Sequence, residues 1–121
     1  MRGAILLVLL AGCVIEGPDG MDRGPAYTQA EKAWLAEALP VLQANCVVCH
    51  SASDVRGGIG FLDGETAWDI RSNLLASGEV NLDRPETSRL LSKGAHQGPA
   101  MTATEASKLL FWIQAERDER F

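Results

Sequence analysis

Apolar residues recur along the chain at the three-and-four spacing of helices, and no stretch alternates as a strand would. The first helical signal opens at Thr28, where Thr28-Gln29-Ala30-Glu31 has the capping-box order and Ala33, Trp34, Ala38 and Leu39 follow on one side. Pro40 should end that helix or restart it, because it brings no backbone N–H and its ring crowds the preceding turn. Val41, Leu42 and Ala44 then carry a second helical turn or two up to Cys46, with Trp34 and Leu42 facing the core. Residues 51–60 have neither period and read as loop, with Phe61 and Leu62 as apolar cover beyond it. The spacing of Ala67, Trp68, Ile70, Leu74 and Leu75 predicts a helix over 65–75, stopped by Gly78. Pro85 near a helix start and Leu90-Leu91 beyond it predict a short element before Gly94. The last helix begins at Thr102-Ala103-Thr104-Glu105, another capping-box order, and repeats Ala106, Leu109, Leu110 and Ile113 to about Arg117, with Trp112 on its flank. The fold class that follows is all-α.

The amino-terminal residues do not belong to that pattern. After Arg2, an apolar run over residues 4–10 leads to Ala11-Gly12-Cys13, the order of a bacterial secretory signal whose apolar part is too short to span a bilayer. Leu10-Ala11-Gly12-Cys13 resembles a lipobox, in which cleavage leaves a Cys to be acylated. Cys13 is therefore the expected lipidation site and residues 1–12 the signal peptide; the plainer reading makes Cys13 one residue of an ordinary signal. Each buried methylene of an acyl chain contributes about 0.8 kcal/mol, so several chains hold a protein on a membrane it does not cross. Val14, not Asp, follows the Cys, which favours the outer membrane and a periplasmic location. Residues 13–26, with Gly17-Pro18-Asp19-Gly20 and Gly24-Pro25, read as a flexible tether, and residues 27–121 as one domain. The formal net charge of −5 argues against nucleic acid and for partners with a basic docking face.

Chemistry concentrates at Cys46-Val47-Val48-Cys49-His50. Cys-x-x-Cys-His is the attachment signature of a c-type haem: two thiols spaced to bond the two vinyl groups, and an imidazole beside the second thiol to bind iron. Two other readings of these residues stand beside it. A zinc site could draw on Cys46, Cys49, His50 and His96, although adjacent ligands strain one tetrahedral centre. A dithiol redox pair would need a thioredoxin-like sheet, which a helical sequence does not offer. The glycines at 57, 58 and 60 lack the Gly-Lys-Ser/Thr sequel of a phosphate loop. A domain of this size also gains from an apolar cofactor, because its own side chains make a marginal core.

The segment from Pro40 through His50, followed by Pro85-Glu86-Thr87-Ser88-Arg89-Leu90-Leu91 and by Trp112-Ile113, resembles class I c-type cytochrome domains of the planctomycete-type subgroup over residues 37–116. The resemblance implies a small helical bundle wrapped around one covalently bound haem c, attached through Cys46 and Cys49 with His50 as proximal axial ligand. It implies one-electron transfer with redox partner proteins, and an electron carrier, not an enzyme. The distal ligand is open at this point. His96, six residues before Thr102 in the loop Gly94-Ala95-His96-Gln97-Gly98-Pro99, is preferred; Met101 is the alternative, Lys93 a distant one, and a vacant position the fourth. A displaceable ligand would instead suit a haem-based ligand-binding or sensor domain, the alternative function.

Overall fold

The structure is a computed structural model that describes residues 26–46, 50, 60, 62–92 and 100–121. Among these residues the regular structure is helical throughout, as the apolar spacing predicts. The signal, most of the tether, Cys13, Cys49, Phe61, Lys93 and His96 lie outside the described residues.

The first rod begins as α1, Gln29–Ala33, and its capping box is complete: Glu31 N–H donates to Thr28 Oγ1 at 3.2 Å and Thr28 N–H to Glu31 Oε2 at 2.8 Å. The backbone then widens into a π turn, Trp34–Ala38, in which Leu39 N–H reaches back five residues to the Trp34 carbonyl. Helix α2, Leu39–Asn45, follows with Pro40 in its first turn, so Pro40 restarts the helix without breaking the rod. The wider turn lies where the ring would otherwise press on the carbonyl four residues back.

Helix α3, Ala67–Ala76, begins two residues later than its apolar stripe alone predicts, because Thr66 and Asp69 form a capping box of their own. Gly64 lies tight against this turn: a Cβ there would meet Asp69 Cβ at 2.8 Å. The helix ends where expected, with Gly78 at φ +80°, a conformation that favours glycine. A 3-10 turn at Pro85–Thr87 and the short α4, Arg89–Ser92, make up the element expected around Pro85 and Leu90. Helix α5, Ala103–Arg120, is 18 residues long, about 27 Å.

Two polar contacts set the arrangement of the outer helices. Ala30 N–H, near the start of α1, donates to Glu119 Oε1 near the end of α5 at 2.9 Å. Asn45, at the end of α2, donates to Glu105 at the start of α5. The α1–α2 rod and α5 therefore run antiparallel and touch along their length.

Between them lie Trp34 and Trp112, both fully buried, with ring centroids 4.9 Å apart and planes tilted by 49°. Trp112 is thus a core residue and not a flanking one, because α5 turns its indole toward the rod. Each indole N–H has a partner: Trp34 Nε1 donates to Ala67 O at 2.9 Å and Trp112 Nε1 to Glu116 Oε1 at 2.8 Å. Arg71 on α3 holds the same carboxylate in a fork, Nε to Oε1 at 2.5 Å and Nη2 to Oε2 at 2.9 Å. Glu116 can be buried at 2% exposure because three donors satisfy it. Leu42, Leu74, Leu109 and Ile113 fill the remaining centre.

Candidate functional site

Helix α2 delivers the chain to Cys46. Cys46 is its C-cap, in right-handed helical geometry, and donates its N–H to Leu42 O at 2.8 Å. His50 N–H donates in turn to Cys46 O at 3.0 Å, a four-residue step. Cys46 and His50 are consequently one helical turn apart and share a side of that turn. The first and last residues of the pentapeptide thus have the relation that attachment and ligation at one group require.

Surroundings matter as much as register. His50 is 7% exposed and Leu62 5%, and Leu62 N–H donates to His50 O at 2.9 Å, which ties the returning chain to the turn. Cys46 is half-buried and packs on the main apolar cluster. Met101, immediately before the Thr102 cap, is half-buried and packs on the same cluster. That is the placement expected of a core contact before a helix start, and it also puts the alternative distal ligand on the apolar body that supports Cys46. Cys49 and His96 lie outside the described residues, as does Cys13.

The residues present fit a haem. A buried imidazole and a half-buried thiol four residues apart in helical register, the thiol on the apolar cluster, are the donor types that a large apolar macrocycle with an iron centre takes. No group of three or more His, Cys, Asp or Glu side chains is gathered to hold a metal ion among the described residues, which include only Cys46 and His50 of the four zinc candidates. An open groove of about 590 Å³ lies elsewhere, between α3 and α5, lined among others by Arg71, Leu75, Glu116 and Arg120; neither Cys46, His50 nor Met101 borders it.

One site feature escapes sequence reading. Asn45 Nδ2 donates to Val41 O within its own helix and to Glu105 Oε1 across the bundle, both at 3.0 Å. Glu105 also closes the α5 capping box, accepting Thr102 N–H at Oε2 (2.8 Å) while its own N–H donates to Thr102 Oγ1 (3.2 Å). The Thr102 backbone N–H, and after it the Asn45 amide, hold the Glu105 carboxyl below the ordinary carboxylate range. At the far end of α5 the Ala30 N–H does the same for Glu119. In the sequence Glu105 is legible as a cap, but nothing local announces that its second oxygen reaches 60 positions back to Asn45.

No helix among the described residues is long and apolar enough to cross a membrane. Comparison of the chain with protein-family models, with curated proteins and with solved structures returns no match.

Proposed function

We propose that this chain is a single-haem c-type cytochrome, an electron carrier and not an enzyme, held by lipid on Cys13 at the periplasmic side of a bacterial membrane, with the outer membrane favoured. Its partners are redox proteins. The observation that carries the reading is the turn in which His50 N–H meets Cys46 O while the His50 side chain is withdrawn from water.

Haem c, when bound, supplies an iron that cycles between ferrous and ferric states. Everything else is the work of the chain. Cys46 and Cys49 would hold the group by thioether bonds, and His50 would supply a nitrogen to its iron. The α2 register fixes Cys46 relative to His50, and Leu62 and Met101 keep the surroundings apolar, which limits reorganisation of water around a changing charge. The distal ligand comes from the stretch before Thr102, with His96 first and Met101 as the alternative. A thioether in that position gives a higher potential than a second imidazole.

An optical redox titration tests the reading. The expected result is a one-electron transition of one low-spin haem whose ferrous form resists carbon monoxide. A fast and complete carbon monoxide shift of the reduced protein would move the assignment to a ligand-binding or sensor domain.

A further inference from the structure

The contact between Asn45 and Glu105 joins two places that the chemistry needs at a fixed separation. Asn45 immediately precedes Cys46 and lies on the same helical path as His50. Glu105 lies in the first turn of α5, three residues beyond Thr102, and so fixes where the chain passes from Met101 into that helix. The two side chains are 60 positions apart in sequence and 3.0 Å apart in space. Asn45 is itself pre-oriented, because the same Nδ2 donates to Val41 O. Glu105 is pre-oriented from the other side by the capping box. Each partner is held by its own helix before they meet, so their bond transmits position instead of merely filling a gap. Met101 and Cys46, which flank the bond, both rest on the one apolar cluster.

We propose that Asn45 is a positioning residue: through Glu105 it locks the helical turn carrying Cys46 and His50 to the chain entering α5 at Met101, and so sets how firmly the distal side of the haem is closed. This rests on the haem reading above. With the lock intact, an external ligand must displace the endogenous one against a fixed frame. With it broken, α2 and the start of α5 separate more readily and displacement becomes easier.

The amide and carboxylate can be exchanged to test this in the full-length protein. Glu105→Gln keeps one oxygen for the Thr102 N–H but sets its NH2 against the Asn45 NH2 that Val41 O holds in place, so the cap survives and the lock can re-form only by giving up the Val41 bond. Asn45→Asp sets two carboxylates against each other. The double exchange Asn45→Asp/Glu105→Gln restores one donor and one acceptor across the two helices with their roles reversed, while giving up the donation to Val41 O. Cyanide binding to the ferric protein is the readout, since cyanide replaces either an imidazole or a thioether.

Each single variant is expected to bind cyanide about tenfold more tightly than the parent, the scale of one well-made hydrogen bond, and the double variant to return to within about threefold. A loss of thermal stability in the single variants with the cyanide constant unchanged, or a double variant that simply adds the two effects, would overturn the positioning role and make the contact structural. A parent protein with covalent but high-spin haem would also overturn it, by leaving no endogenous ligand to position, while the cytochrome reading stood. A parent without covalent haem would remove both.

Discussion

The core around Trp34 and Trp112 and the turn from Cys46 to His50 are held by opposite means. The core is closed by side chains from elements far apart in sequence: an indole to a carbonyl 33 positions away, and a guanidinium to a carboxylate 45 positions away. The turn is held by four-residue backbone bonds and by the Leu62 N–H returning to His50 O, with the Asn45 amide as its side-chain tie to α5. The core therefore depends on the whole bundle being assembled, whereas the turn's geometry is written into its own helix. Substitutions in the first region should act on folding and those in the second on the site.

The largest effect that would sharpen this division is in the core. Trp112→Ala removes a fully buried ring, its tilted contact with Trp34 and one of the Glu116 donors, and is expected to cost about 3–5 kcal/mol in denaturant unfolding. A cost below about 1 kcal/mol would show that the core does not depend on this ring. Glu116→Ala should follow at about 2–3 kcal/mol: it strands Trp112 Nε1 and Arg71, but the Arg71 side chain retains 21% exposure and can turn to water. A cost of the double variant Glu116→Ala/Arg71→Met equal to the sum of the two single variants would show that the pair does not act as one unit.

The helix signals that depend on residues three or four apart are legible in the sequence. Thr28 and Thr102 announce their caps, Trp34 and Leu42 their burial, and Gly78 the end of α3. Thr66 gives a weaker signal because Asp69, shorter than Glu or Gln, stands third in the box. Trp112 follows Leu109 by three residues and shares the buried face with Ile113 and Glu116, whereas Ala106 and Leu110 of the expected stripe are only half-buried, so it is the packing of the rod that decides where the face is centred. The Arg71–Glu116 fork and the Asn45–Glu105 bond depend on folding as well, because neither partner is specified by its neighbours in sequence. The same division holds at the site: residue types and register are local and legible, but the surroundings that withdraw His50 from water are not.

Smaller effects probe the edges of the comparison. Thr66→Ala should cost about 1 kcal/mol in unfolding and leave the haem spectrum unchanged, since its bonds serve α3 alone. A spectral change would show that α3 and the site are coupled more closely than their contacts indicate. The two depressed carboxyls, Glu105 and Glu119, give the weakest signal. Their folded values lie below the ordinary 4.5, so their contribution is present above that value and is lost as pH falls through the lower folded values. Acid unfolding should accordingly be shallower in Glu105→Gln and in Glu119→Gln than in the parent; an unchanged acid limb would remove these two contacts from the account.

The distal position divides the two regions spectroscopically. His96→Ala should convert a low-spin haem to high spin and Met101→Ala should leave it low spin; the reverse pattern would assign the ligand to Met101.

Extraction of the purified chain with acidified acetone tests covalent haem attachment most directly. If Cys46 and Cys49 hold haem c, the colour stays with the precipitated polypeptide, the alkaline pyridine spectrum is that of a haem with both vinyls saturated, and Cys46→Ser/Cys49→Ser abolishes both. Haem that passes into the acetone, or a chain that carries none after expression with a c-type haem attachment system, would contradict it.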